Sequence, residues 1–418
     1  MLKFSYLRIA LLGLGFFGVS GIWSVYNQLV PPILNGFIAS AAVIGLIMAV
    51  DNILAILLQP WIGVISDGMW TKIGRRMPFV VVGGPAAALL FGLIPFLPTL
   101  VSLMGVIIIM NVAMASFRTP VIALMPDITP PEHRTRANGI INMMGGIGSI
   151  IAYGMIALLP ASDNTTPFIA MAGVLILSVG ILYGSINEPR TRISPERTVQ
   201  EKRRLSESLV LPLRTLKQLF TGHHGSLVYV FFALFAWFFA FNTVETFISL
   251  YGKHQLGVPP KVTAGVINFF LITFIAFSYP AGWIAWKIGR KKTILTGLAA
   301  LTVLFTLMSF STNITTLKII MAFAGICWAL ININSLPLIF DAIDQRDLGK
   351  FTGLYYFFSQ LSASVAPPVV GQIVDWTSWQ AMFIVVPIGS AIAFLLMLKV
   401  DMGELRQREF RYEVPDFD

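Results

Sequence analysis

Three charged side chains stand where charge is costly. Asp51 lies in AAVIGLIMAVDNILAILLQPWIGV, Arg118 in IIIMNVAMASFRTPVIAL and Glu245 in FFAFNTVETFISLY, each deep inside a run of apolar residues. In hydrocarbon a charged residue costs on the order of 3 kcal/mol even on the lenient insertion scale, so one that persists there has a use. A lone carboxylate such as Asp51 either handles a proton or neutralises a buried cation, and both readings apply. Arg118 is the candidate cation. It lies about eight residues before Pro126, too deep to reach the membrane surface by extending its stem, and its planar fork of donors fits a carboxylate or solute hydroxyls. Glu245, with Asn242 one turn before it on the same face, is either a second protonation or solute-binding group or an acid facing an outer vestibule.

Around these charges the sequence sets amides beside aromatics. Asn52 follows Asp51; Trp23, Tyr26, Asn27 and Gln28 share one stretch; Trp237 precedes Asn242; Asn332, Asn334 and Gln360 come later. Aromatic faces for C–H groups and amides for hydroxyls are what a carbohydrate needs. Trp and Tyr also line membrane interfaces, so each aromatic keeps that second reading. Gly145, Gly146, Gly148 and Gly154 read as packing residues that let helices approach closely.

The elements that hold these residues must be membrane helices. The chain has 418 residues, of which 56% are hydrophobic and 12% charged, with mean hydropathy +0.79; that is wrong for a soluble surface. A net charge of +9 does not signal nucleic acid, because the cations sit in short clusters between apolar runs without an interleaved basic and aromatic face. The single cysteine, Cys327, excludes an internal disulfide framework. His223 and His224 sit in a polar stretch without acids or thiolates at ligand spacing, so no metal is expected. Neither a P-loop nor a G-x-S-x-G or H-E-x-x-H motif is present, which argues against an enzyme or an ATP-driven pump.

A spanning helix needs roughly 20 apolar residues, and the chain divides into twelve such runs: 9–34, 39–66, 78–98, 100–126, 137–160, 167–187, 226–252, 261–286, 292–311, 315–340, 350–375 and 378–399. The first follows Lys3 and Arg8 as in a secretion signal, but it is too long for a signal core and reads as a retained helix. Alternate gaps carry Lys72, Arg75 and Arg76, then Arg134 and Arg136, then Lys287, Arg290, Lys291 and Lys292, whereas gaps 31–38 and 160–167 carry no Lys or Arg. The positive-inside rule puts the basic gaps and both termini in the cytoplasm of a multi-pass plasma or inner membrane protein, with Lys253 and Lys261 as exceptions in an outer loop. The expected organisation is a six-helix bundle over 1–187, a cytoplasmic linker over 188–225, a second bundle over 226–399 and a tail over 400–418.

The halves repeat one another. ALMPDITPPEHRTRANG and PLIFDAIDQRDLGKFTG occupy corresponding places; Asp127 and Asp341, Gly139 and Gly353, and Trp23 and Trp237 are each 214 residues apart, and Arg75 and Arg290 are 215 apart. A parallel repeat of six helices predicts an all-α fold of two pseudo-symmetric bundles with a site near the midplane between them. At one helix end Asp67 precedes Arg75 and Arg76, so pairing can tie helix ends in one state and release them in another; the arginines also serve topology alone.

Gly63, Asp67, Lys72, Gly74, Arg75 and Arg76 form G-x-x-x-D-x-x-x-x-K-x-G-R-R, which resembles the loop 2-3 signature of the major facilitator superfamily. LLQPWIGVISDGMWTKIGRRMPF with FRTPVIALMPDITPPEHRTRANG is similar to the glycoside-pentoside-hexuronide:cation symporters, in the branch near sucrose carriers and their bacterial relatives. Two positions depart from the pattern: Gly68 stands where a cation often follows the Asp, and Trp286 takes the place of the acid in the second-half loop, so an acid-centred latch is not assumed there. The resemblance implies a gating role for the signature residues and a role in substrate or proton handling for Arg118. Melibiose-type carriers of the same wider family bind sodium through paired acids lower on helix 2, where this chain reads AILLQP with Ala55 and Gln59; a lone Asp51 therefore suits a proton better than sodium. The implied function is proton-coupled sugar symport by alternating access, without a cofactor. An antiporter exporting drugs or metabolites and a sugar-binding receptor are the alternatives. Which sugar is carried, and in what oligomeric state, does not follow from the sequence.

Overall fold

A computed structural model describes residues 5–130, 133–188, 225–343 and 348–401. Among these residues the chain is all-helical, with twelve long helices: α1 Tyr6–Leu34, α2 Ala41–Gly68, α3 Met77–Leu93, α4 Leu100–Ile128, α5 Arg134–Leu158, α6 Thr166–Ser185, α7 Gly225–Gln255, α8 Pro260–Ile288, α9 Arg290–Ser309, α10 Ile314–Phe340, α11 Leu348–Trp376 and α12 Met382–Leu398. Eleven are long and apolar enough to cross a membrane. The exception is α11, whose Ser359, Gln360, Ser362 and Ser364 dilute its hydropathy. The expected linker and tail fall mostly outside the described residues.

Local chemistry fixes where several helices begin. Ser5, Ser40, Thr99 and Asn313 each accept a hydrogen bond from a backbone N–H in the first turn of α1, α2, α4 and α10; such caps satisfy donors that have no partner within the helix. Gly74 and Gly289 adopt positive φ, 118° and 93°, ahead of α3 and α9. They extend the internal repeat, being 215 residues apart.

Packing shows the same repeat. In the first half α1 lies on α5 and α6, α3 on α4 and α6, and α2 on α4; in the second α7 lies on α11 and α12, α9 on α10 and α12, and α8 on α10. Each half is thus a bundle of the same plan. The halves meet along α2 with α11, α5 with α8, and α1 with α7. A Cβ at Gly148 would collide with the Phe17 backbone of α1, whereas Gly146 and Gly154 face Ile275 and Asn268 of α8. The α5 glycines therefore serve packing both within a half and across the seam.

Arg75, Arg76, Arg134 and Arg290 lie at one end of the bundle, the basic end. Several bonds cross the seam toward the other end: Gln28 Nε2 donates to Pro260 O (2.6 Å) and Thr263 Oγ1 (2.7 Å), and Lys253 Nζ donates to Asn35 Oδ1 (2.9 Å).

Candidate functional site: a polar cavity between the halves

A cavity of about 230 Å³ opens at the seam. Its walls come from five helices: Trp23 and Asn27 of α1; Met48, Asp51 and Asn52 of α2; Arg118 of α4; Phe238, Asn242, Glu245 and Thr246 of α7; and Ser359, Gln360, Ala363 and Pro367 of α11. Helical periodicity explains the selection. Residues 51 and 52 are three and four after 48, and 238, 242 and 245, then 359, 363 and 367, are successively three or four apart, so each set shares a face. Asp51, Arg118 and Glu245 are half-buried, as wall groups should be.

Asp51 Oδ1 accepts from Asn52 Nδ2 at 2.8 Å, and Glu245 Oε1 accepts from Asn27 Nδ2 at 3.1 Å, a bond that joins α1 to α7 across the seam. The expected pairing of Asp51 with Arg118 is not a direct contact: among the described residues no ion pair within 4.0 Å joins them. Both line the one cavity from different helices, α2 and α4. A smaller apolar chamber of about 50 Å³ adjoins at Glu245, walled by Phe241, Val244, Phe270 and Leu271 among others.

Five residues expected at the site do not line this cavity. Gln28 is fully buried and spends its amide on α8. Trp237 is one position out of phase with Phe238, Asn242 and Glu245 and is fully buried. Tyr26 is also fully buried, with its ring edge-on to Trp23 at 5.3 Å. Asn332 lies on α10, a helix that contributes no wall, and its neighbour Asn334 ties α10 to α8 by donating to Ala281 O at 3.3 Å. In the other direction, sequence reasoning missed Thr246 and Ser359. Each is adjacent to a polar residue that was singled out, which was the available signal.

At the basic end Arg75 Nη2 stands 2.7 Å from both oxygens of Asp127, and Arg76 Nε 3.3 Å from Asp127 Oδ2. Arg76 also bonds Asp67 and Ser66, while Arg75 comes within 3.7 Å of Asp67. Glu188, fully buried, accepts from the backbone N–H groups of Arg75 (3.1 Å), Arg76 (2.9 Å) and Met77 (3.0 Å). A carboxylate is well placed at this positive end of α3, which has no side-chain cap of its own. Gly74 is required there, because its φ is positive and a Cβ would strike the Glu188 carboxyl. Lys72 is exposed, and Gly63 has open space around it.

The expected tie of Asp67 to the two arginines is present, but it belongs to a larger cluster formed by the first half and Glu188, the residue that follows it. Asp127 and Glu188 were not assigned to it from the sequence. The second half repeats one pair, Arg290 with Asp341, and Arg290 Nη1 also donates to Pro337 O at 3.2 Å. Its acid comes from the end of α10, while Trp286 stands in the last turn of α8.

Two six-helix halves of the same plan meet around a polar, charged cavity to which both contribute walls. The chain belongs to the Major Facilitator Superfamily, whose sequence model matches residues 12–275 and 256–410. Relatives include the sucrose transport protein SUC3 of Arabidopsis thaliana, 26% identical over 158 residues that make up 32% of this chain and 27% of that one. Another is the class H tetracycline resistance protein of Pasteurella multocida, 26% identical over 283 residues and 64% of each chain. The chain spans about a third of the length of the first curated relatives it matches. The crystal structure of nucleoside transporter NupG superposes with a TM-score of 0.72 at 15% identity, covering 94% of this chain and 100% of that one. At that identity the likeness shows the fold.

Proposed function

We propose that the chain is a proton-coupled symporter of a sugar-class solute working by alternating access. The observation that carries the reading is the cavity wall. Asp51, Glu245, Arg118 and six amide or hydroxyl side chains, Asn27, Asn52, Asn242, Thr246, Ser359 and Gln360, face one space beside the Trp23 ring. This is the donor, acceptor and aromatic combination that suits a polyhydroxylated ring. The volume, below the ~300–1,000 Å³ of drug-sized sites, favours a small polar solute over a bulky apolar one.

Charge balance supports a proton as the coupling ion. With Arg118 cationic, the three groups sum to −1 when both acids are ionised and to zero when one is protonated, and the low dielectric favours neutrality. A sodium ion beside Arg118 would be repelled. The basic loops and both termini face the cytoplasm in this reading, and the end where Gln28 and Asn35 bond across the seam faces outside. Asp67, with a side chain 45% exposed, is the member of the basic-end cluster free to exchange partners as the halves rock.

Export by antiport is the second reading, favoured by the match to the tetracycline resistance protein over 64% of the chain. Proton flux in proteoliposomes separates the two. Symport predicts external alkalinisation when an added disaccharide or glucoside enters; antiport predicts the reverse, and a non-transporting receptor no flux.

A further inference from the structure

The seam is fastened at the end away from the basic loops by a carboxylate that caps a helix of the other half. Asp375 lies in the last turn of α11. Its Oδ1 accepts from the backbone N–H of Ala41 (2.7 Å), and its Oδ2 accepts from the backbone N–H of Ala42 (3.0 Å) and from Ser40 Oγ (2.6 Å). Ser40 in turn accepts from Val43 N at 3.3 Å. The start of α2 therefore has two caps, one from each half.

Backbone contact reinforces the arrangement. A Cβ at Gly45 would collide with the Pro367 carbonyl, and one at Gly371 with the Ala41 carbonyl, so α2 and α11 touch without intervening side chains. The other seam is not fastened this way. Asp163, 212 residues before Asp375, accepts from the backbone N–H groups of Thr166 (2.9 Å) and Thr165 (3.1 Å) at the start of α6 in its own half. Those bonds, that from Thr166 first, hold its carboxyl below the usual carboxylate range.

We propose that Asp375 is a gating residue of the transport cycle, which holds this end closed through its cap on α2, the helix that carries Asp51. Opening this end must break all three bonds. Asp375 then returns to water, while Ser40 keeps α2 capped and intact, so the cross-half carboxylate is the only part of the cap that distinguishes the two states. Neutralising it shifts the equilibrium toward the form open at this end without unravelling α2.

The test needs no solute and is independent of the sugar reading. Spin labels at Leu158→Cys and Phe310→Cys report the distance across this end, and labels at Tyr183→Cys and Leu398→Cys report the basic end; all four sites are exposed, and Cys327 is buried and stays unlabelled. With Asp375→Asn the population with the longer Leu158–Phe310 distance should rise about twofold to tenfold, the range of a lost helix cap. The Tyr183–Leu398 distance should shorten in the same population. Asp375→Glu, which keeps the charge, should stay nearer the parent. Unchanged distances overturn the proposal, as does broadening of both pairs without the reciprocal shift, since that is what loosened packing alone produces.

Discussion

Asp51 and Arg118 face the same cavity without touching, and that spacing carries a consequence for single substitutions. A direct buried ion pair would leave a stranded charge when either partner is removed, with a loss of about 3–5 kcal/mol in stability. Separated across a polar space, the two can be changed with modest cost to folding and a large effect on transport. Asp51→Asn, which imitates the neutral acid, should exchange solute in counterflow but fail to accumulate it against a gradient. Arg118→Ala should lose solute binding. Retained proton-driven accumulation in Asp51→Asn would move the coupling role to Glu245. Gly74 is a residue whose demand is purely steric, because positive φ and the Glu188 carboxyl leave no room for a methyl group. Gly74→Ala should lower stability by at least about 1 kcal/mol, seen as a reduced Tm in detergent.

Between elements, the two Arg–Asp pairs of the internal repeat are alike in connectivity and unlike in environment. Arg75 and Asp127 have side chains 8% and 10% exposed, whereas Arg290 and Asp341 are 36% and 47% exposed. A pair that water reaches contributes about 0–1 kcal/mol; a buried one, once broken, strands a charge. Arg75→Ala should therefore destabilise the protein by several times as much as Arg290→Ala, and equal losses in thermal unfolding would contradict the buried geometry. The same contrast separates structure from gating in the loop after α2. Arg75, Arg76, Asp127 and Glu188 fix how α3, α4 and the end of the first half meet, which leaves Asp67 as the exposed member through which turnover can be altered.

For the whole molecule, the cross-half bonds from Asn27–Glu245 to Asp375–Ser40 form a seal on one side of the cavity. The described conformer is closed at that end. A cysteine introduced at Ala363, a wall position without a polar group, should react with a membrane-impermeant thiol reagent faster from the basic side than from the opposite side. Asp375→Asn should narrow that difference. Equal rates in the parent would show that this conformer is not the predominant one in the bilayer.

Twelve helices, their approximate ends and the twofold repeat were legible in the sequence because each follows from local chemistry. A spanning segment must satisfy its own backbone and present apolar side chains, and cations mark where it leaves the membrane. The charged and amide residues standing inside those spans could be picked out for the same reason, and Asp51, Asn52, Arg118, Asn242, Glu245 and Gln360 do line the cavity. Which side of its helix each residue faces is not encoded locally, since a span apolar all round carries little amphipathic signal; hence Trp237 and Gln28 look like binding residues in the sequence and are buried in packing. Partnerships between distant residues were not legible at all. Glu188 capping α3, Asp127 holding both arginines and Asp375 reaching α2 join residues 51 to 335 positions apart, and only the packing of the helices brings these acids to their donors.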